Sequence, residues 1–195
     1  VCSSDLGDNF FGALSMEEKA ISFREAAHDK DILLLARNYN DAGVAACYVQ
    51  DYAKGMRFFD KAIQILELTA PDDPNTANIL TNIANTYLFL GDYDKATVLG
   101  ERAVKIFEKT PPKNKHEQAQ TYSTFGNILV WTKHIEEAKE NFLTAVEILR
   151  TLAPDGSIEL ARAYIDLGQL YTLVEDPAPG ITYLLAALNM QEIGR

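Results

Sequence analysis

The sequence predicts an all-α protein, a right-handed solenoid of stacked helix hairpins, and two observations support this class. In residues 77–109, apolar side chains recur at helical spacing on both sides of a short break at Gly91-Asp92. Three rows of small residues also repeat through the chain, with a period of 41 or 42 residues. Because one hairpin cannot bury its apolar face alone, an evenly repeated hairpin predicts a stacked array.

The rows of small residues mark positions where the two helices of a hairpin are expected to cross closely. A bulky side chain at such a crossing would hold the helices apart. The three rows are Ala20, Ala62, Ala103, Ala145 and Ala187; Gly43, Ala84, Gly126 and Gly168; and Gly55, Ala96, Ala138 and Gly180.

The array begins with an incomplete unit. Residues 7–31 are expected to be a partial repeat, with residues 7–29 forming the second helix of an earlier hairpin. Within it, Ser15 and Glu18 fit a capping box, in which the serine accepts a backbone hydrogen bond and the glutamate reaches back. This pattern predicts the start of a helical turn at Ser15.

Four repeats follow the partial unit within one continuous array over residues 7–191. Their expected bounds are 32–73, 74–114, 115–156 and 157–191, the last being truncated. The paired helices of repeats 1, 3 and 4 are expected at 33–48 with 52–69, 115–132 with 135–152, and 158–174 with 178–190. Both helices of repeat 2 lie in residues 77–109.

Proline and glycine separate these helices. Residues 71–74 contain two prolines and end repeat 1, since proline cannot continue a helix, while Asp73-Pro74 can open the next helix as cap and first residue. Gly91 can adopt a left-handed conformation that ends a helix, and Asp92 can cap the one that follows. Other breaks are expected at Pro111-Pro112, Pro154-Asp155-Gly156 and Asp176-Pro177.

Both ends of the chain carry segments that we set apart from the fold. Residues 1–6, VCSSDL, resemble the translation of a sequencing-library adapter, and residues 192–195 resemble the opposite adapter end. We therefore expect a fragment of a longer protein. Because solenoids need polar terminal caps, we also expect self-association through uncapped ends. The uncovered side chains would be Leu184, Leu185, Leu188 and Met190.

Composition argues against several classes of partner. The chain is 47% hydrophobic and 24% charged, which is ordinary for a globular protein. Its net charge of −10 argues against binding to nucleic acid or to anionic membranes. No apolar run approaches the length of a membrane span. A cytoplasmic location is favoured. Cys47 is the one cysteine outside the adapter-like segment and can form no disulfide within the chain, so cysteine usage does not indicate whether the compartment is oxidising or reducing.

Few residues suggest catalysis or metal binding. His28, His116 and His134 lie near breaks between helices, and none pairs with a suitably placed cysteine or serine. The aspartate pairs 72/73 and 92/94 lie where helix caps belong and lack the spacing of a calcium loop. There is no glycine-rich phosphate loop. We therefore expect no enzymatic activity, no metal and no cofactor.

The rows of small residues and the aromatic positions resemble those of the tetratricopeptide-repeat family. Tyr87 and Tyr171 stand where the family has an aromatic in the first helix, whereas Ala46 and Leu129 depart from it. The period of about 42 residues is similar to the longer repeat of kinesin light chains and many bacterial regulators. HEAT and armadillo arrays share this period but lack the three rows. The resemblance implies the solenoid fold and leaves the function open.

In this family the face of the first helix opposite the hairpin core lines a concave groove that takes peptides. A helical wheel assigns sixteen candidate groove residues to that face: Arg37, Asn40, Asp41, Val44, Tyr48, Asn78, Asn82, Asn85, Phe89, Gln120, Thr124, Asn127, Trp131, Arg162, Asp166 and Gln169.

A row of side-chain amides lies at one equivalent position of this face, at Asn85, Asn127 and Gln169. A carboxamide both donates and accepts hydrogen bonds, so such a row could pair with the backbone of a peptide. The alternative is a solvated helix face whose amides bond to neighbouring helices.

A second row consists of Tyr48, Phe89, Trp131 and Leu173. Off-core aromatics in register could anchor the apolar side chains of a partner. They could equally pack between adjacent repeats. A clamp for a C-terminal carboxylate is not expected, because Arg37 and Arg162 are isolated on this face.

We therefore expect a scaffold module that presents a polar, amide-rich concave groove to an extended or helical segment of a protein partner. The alternative is a sensor or regulatory array of a larger enzyme or transcription regulator.

Overall fold

The computed structural model describes residues 3–27, 31–153, 156–174 and 177–193. These residues form helices joined by short turns, and no strand occurs among them. In chain order the helices are α1 (Ser3–Ala27), α2 (Ile32–Tyr48), α3 (Tyr52–Thr69), α4 (Pro74–Leu90), α5 (Tyr93–Lys109), α6 (Lys115–Trp131), α7 (Ile135–Leu152), α8 (Ile158–Leu173) and α9 (Pro177–Ile193).

The predicted fold class is confirmed: the chain is an all-α solenoid of stacked hairpins. Helices pair as α2 with α3, α4 with α5, α6 with α7, and α8 with α9. The first helices also contact one another in sequence, from α2 through α4 and α6 to α8. Among the described residues, the backbones of the second helices do not approach one another in this way, although a side-chain salt bridge joins α3 to α5. The first helices therefore form the inner, concave layer, and we call them the inner helices and their partners the outer helices.

Local turn chemistry ends most helices where the sequence predicts. Gly91 has φ of 78°, the left-handed conformation expected of it, and its Cβ-free backbone adopts this conformation at no steric cost. Asp73 caps α4 by accepting from the Asn75 amide at 2.8 Å, and Pro74 is the first helical residue. Asp92 caps α5 by accepting from the Lys95 amide at 3.3 Å.

One expected cap is wrong. Helix α1 runs without interruption from Ser3 to Ala27, so Ser15 lies in its interior and caps nothing. A continuous helix keeps Leu14 and Ile21, seven residues apart, on one face, and both are buried in the core cluster that includes α2. The same helix includes residues 3–6, which the sequence assigned to an adapter-like segment.

Some expectations lie outside the described residues. They concern Val1, Cys2, His28, Pro154, Asp155, Asp176, Gly194 and Arg195.

The small residues lie at close crossings within the hairpins, as expected. A Cβ added at Gly43 would come within 2.6 Å of the Phe59 ring, and one at Gly126 within 2.6 Å of the Phe142 ring. Both rings are 1% exposed, so the missing Cβ atoms make room for the largest side chains of the core.

In repeat 2 the glycine is on the outer helix instead of the inner helix. The position equivalent to Phe59 and Phe142 is Gly100, and the ring of Phe125 from α6 takes the space beside it, 2.7 Å from a Cβ added there. The core stays filled because the next repeat supplies the ring.

No helix in the described part of the chain combines the length and apolarity needed to cross a bilayer.

Candidate peptide-binding groove

The inner helices place all sixteen candidate residues on one layer of the solenoid. They lie on α2, α4, α6 and α8, and each is exposed or half-buried rather than buried. The helical period explains this result, because each inner helix buries its opposite face against an outer helix.

A cavity of about 410 Å³ opens between repeats 1 and 2 and brings six of the candidates together. We call this cavity and its rim the inner groove. The six candidates are Val44, Tyr48, Asn82, Asn85, Phe89 and Gln120. A volume of this size lies within the range of ligand-binding pockets in proteins.

Sequence reasoning missed five residues of the inner groove: Cys47, Gln50, Tyr52, Phe59 and Thr86. Tyr52 carried a usable signal, because it begins an outer helix at a position where an aromatic also stands in repeat 2, at Tyr93. Thr86 is buried and contacts Cys47, with 3.7 Å between its Oγ1 and the cysteine Sγ. Burial raises the pKa of the Cys47 thiol.

Hydrogen bonds between repeats occupy polar residues from the beginning to the middle of α2 and α4. The Arg37 guanidinium donates to Asn75 Oδ1, with Nη2 at 3.0 Å. The Asn82 amide donates to Asn40 Oδ1 at 2.7 Å and lies 3.4 Å from Asn78 Oδ1. In this part of the inner face, the side-chain amides bond to neighbouring helices, which is the alternative to a row of amides free to pair with a peptide.

The amide row differs from this network. Asn127 donates to the Ser123 carbonyl at 3.1 Å and also pairs with the Asp166 carboxylate. The side chains of Asn85 and Gln169 are exposed and make no hydrogen bond to another described residue. Asn85, on the rim of the inner groove, therefore has donors and an acceptor available to a ligand.

The aromatic row packs on one side and is exposed on the other. Tyr48 stacks on Phe10 at 4.2 Å between ring centroids, and Trp131 stacks on Tyr93 at 5.7 Å. Tyr48 and Trp131 are nevertheless 63% and 62% exposed, and Phe89 is 77% exposed. Each stacked ring thus contacts the preceding repeat and keeps accessible apolar surface.

Two equivalent aspartates lie on the inner face, in repeats 1 and 4. Burial raises the pKa of Asp166 to about 6, against the opposing effects of its Asn127 hydrogen bond and of Arg162. Burial also raises the pKa of Asp41, which Asn40 and Arg37 act to lower. The Asp166 carboxyl is thus partly screened from water, which strengthens the polar contacts that it makes.

The described residues contain no group of three or more His, Cys, Asp or Glu side chains that could hold a metal ion.

Residues 34–109 match the family model described as "Tetratricopeptide repeat". A curated relative, the clustered mitochondria protein homolog of Lodderomyces elongisporus, is 28% identical over 108 residues. That alignment covers 54% of this chain and 8% of the relative, so the chain spans a small part of the relative's length.

Solved structures share the fold along nearly the whole chain. BtubC (BKLC) from P. vanneervenii has a TM-score of 0.81 at 18% identity, covering 95% of this chain and 74% of that one. Kinesin light chain TPR-like repeats of Podosopora anserina score 0.73 at 14% identity, covering 96% and 90%. YrrB, described as a TPR protein with an unusual peptide-binding site, scores 0.61 at 20% identity, covering 94% and 82%.

The family match covers repeats 1 and 2; α1 packs beside this segment on one side, and the hairpins α6–α7 and α8–α9 continue on the other. The predicted resemblance to long, kinesin-light-chain-like arrays is confirmed at the level of the fold. Residues 34–109 therefore match the tetratricopeptide-repeat family, and the helices beside them share its fold.

Proposed function

We propose that the inner groove binds a segment of a protein partner, held through its backbone by Asn85 and through an apolar side chain by Tyr48 and Phe89. The tetratricopeptide fold is generally a scaffold for protein–protein interaction, and such repeats are typically not enzymes. The observation that carries the finer proposal is the inner groove itself. It combines exposed rings, an amide without a partner among the described residues, and a buried apolar floor at Phe59.

The inner groove offers a ligand two kinds of contact, apolar contact with exposed rings and hydrogen bonds from an amide. Phe89, 77% exposed, has surface to lose to a ligand, and such exposed aromatics are typical anchors of binding interfaces. Asn85 can donate to a peptide carbonyl and accept from a peptide amide without selecting a side chain. An extended peptide would thus gain affinity from its backbone and specificity from one apolar residue in the cavity.

A pair of substitutions tests this proposal. Peptides selected from a library with the wild-type protein are titrated against Phe89→Ala and Asn85→Ala. We expect Phe89→Ala to cost about 2 kcal/mol of binding and Asn85→Ala about 0.5–1.5 kcal/mol. Val98→Ala is the matched control, because Val98 is 66% exposed on the outer helix α5. Unchanged affinity in both inner-groove variants would refute the proposal.

We propose as a second candidate that the array is the sensing part of a larger protein. The observation that favours it is the small share, 8%, that the alignment covers of the curated relative. An effector domain in the complete coding sequence would support this role, and a coding sequence made only of repeats would contradict it.

A further inference from the structure

A second groove lies on the outer side of the solenoid, between α5 and α7. The backbones of these two outer helices stay apart in the described structure, and a cavity of about 510 Å³ lies between them. We call it the outer groove. Tyr122 and Phe125 of α6, both under 10% exposed, form part of its floor together with Val104.

The rim of the outer groove is acidic. Four glutamates line it, against one lysine and one histidine: Glu101, Glu108, Glu137 and Glu140, with Lys105 and His134. Lys105 pairs with Glu101 at 2.6 Å. The other three carboxylates have no ion pair among the described residues. Glu108 also acts on the floor, because after burial its charge is the next cause that raises the pKa of Tyr122.

A comparison with the preceding repeat shows why Glu108 has no cationic partner across this groove. Between α3 and α5, Glu67 and Arg102 form a salt bridge at 2.9 Å that links the two outer helices. The equivalent positions between α5 and α7 are Glu108 and Thr144. Threonine supplies no cation. The Glu108 carboxylate therefore lines the groove without an ion pair, whereas Arg102 neutralises the equivalent Glu67.

This combination favours a cationic occupant. Three unpaired carboxylates around an apolar floor leave a negative potential in a concave site, where field lines are focused. A segment that carries Lys or Arg around one or two apolar side chains would supply the missing charge and cover the floor at once. A neutral or acidic segment would leave the carboxylates desolvated without a partner.

We propose that the outer groove docks a basic amphipathic segment of a protein partner, at a surface separate from the inner groove. The apolar side chains of that segment contact the floor at Phe125 and Tyr122. Its cations pair with Glu108, Glu137 and Glu140.

The test uses a short synthetic peptide with lysine and leucine at helical spacing, labelled with fluorescein and titrated by anisotropy. Two companion peptides replace every lysine by glutamate or every leucine by serine. Because the whole chain carries a net charge of −10, weak attraction to any cation is expected, and the protein variants must separate it from docking.

Glu137→Gln with Glu140→Gln removes two groove carboxylates. The matched control, Asp60→Asn with Glu136→Gln, removes two exposed carboxylates that do not line the groove. One exposed charge contact changes affinity by a factor of about 1.5 to 5. We therefore expect the double groove variant to lose about fivefold or more of its affinity for the lysine–leucine peptide, and the double control variant less than about twofold.

Thr144→Arg provides an independent variant. It places an arginine where Arg102 stands in the preceding repeat, opposite Glu108. We expect it to close the groove and lower affinity for the lysine–leucine peptide at least as much as the double glutamine variant. Its control is Thr69→Arg, which adds the same charge at the exposed end of α3. Thermal melts establish that each variant is folded.

Three results would overturn the proposal. They are no measurable binding of the lysine–leucine peptide, equal losses in the groove and control variants, and equal binding of the leucine-free peptide. The inner-groove variant Phe89→Ala should leave this binding unchanged, so that failure of one groove is distinguishable from failure of the other.

Discussion

Single side chains of the inner face divide their surface between a neighbouring repeat and solvent. Trp131 stacks on Tyr93 and remains 62% exposed. Asn127 bonds to its own helix and to Asp166 of the next repeat. At the residue level, contacts that join repeats and surface available to a ligand are therefore found in the same side chains.

Replacement of Trp131 by alanine measures this division. A fully buried tryptophan would cost about 3–5 kcal/mol of stability, but an exposed ring in one stacked pair should cost only about 0.5–1.5 kcal/mol. Urea unfolding of Trp131→Ala, followed by circular dichroism, gives this number. A loss of 3 kcal/mol or more would mean that the ring acts chiefly as packing between repeats.

Asp166 should make stability depend on pH. Its folded pKa of about 6 lies above the ordinary value of 3.8, so the folded state binds more protons than the unfolded state between these values. Stability from this group therefore falls as pH rises from about 4 to about 6, by roughly 2–3 kcal/mol at most. Above that window the cost of the buried charge is constant.

The variant Asp166→Asn tests this dependence. It should be more stable than the wild type at pH 7 and nearly equal to it at pH 4, because an amide carries no charge to desolvate. Denaturant unfolding of both proteins at several pH values gives the difference directly. A difference that stays constant from pH 4 to pH 7 would contradict the assignment.

Hairpins are held at a fixed distance by small residues that admit a large ring from the partner helix. Gly126 and Phe142 form such a pair, and Gly43 and Phe59 form another. Helical glycine normally costs stability relative to alanine, so its presence at these crossings reflects the space that the ring requires.

Two glycine-to-alanine substitutions separate the effect of helix propensity on stability from the effect of crowding at the helix crossing. Gly126→Ala should destabilise by about 1–3 kcal/mol, because its Cβ would lie 2.6 Å from the Phe142 ring. Gly12→Ala should stabilise by about 0.5–1 kcal/mol, since no heavy atom lies within 4 Å of a Cβ there. Thermal unfolding of both variants checks the contrast. Stabilisation by both would mean that the crossing is looser than described.

Much of the architecture was predictable because it depends on local chemistry. Gly91, Asp92 and the Asp73-Pro74 pair act through their own backbone, so the helix ends of repeat 2 followed from sequence. Ser15 misled because serine and glutamate three residues apart also fit a helix interior, and only packing against α2 decides between the two.

The site was less predictable because it depends on distances between repeats. The helical period assigned the sixteen inner-face residues. It could not show that Asn40 and Asn82 bond to each other while Asn85 has no partner among the described residues. One repeated position of the outer helices holds Phe59, Gly100, Phe142 and Leu184. The sequence shows that repeat 2 has a glycine there, but it could not show that Phe125 fills the space beside Gly100.

At the scale of the whole molecule, the solenoid has two surfaces of different chemistry. The inner groove combines amides and exposed aromatics, and the outer groove combines carboxylates and a buried apolar floor. A stacked array can present such surfaces independently because each repeat contacts only its neighbours.

Hydrogen exchange of the wild-type protein, with and without its best library-selected peptide, tests the central claim most directly. A ligand slows the exchange of the segments that it stabilises. We predict protection centred on the C-terminal halves of α2 and α4, which line the inner groove, with α7 and α9 unchanged. Protection confined to the outer helices, with α2 and α4 unaffected, would contradict the assignment of the inner groove as the peptide-binding site.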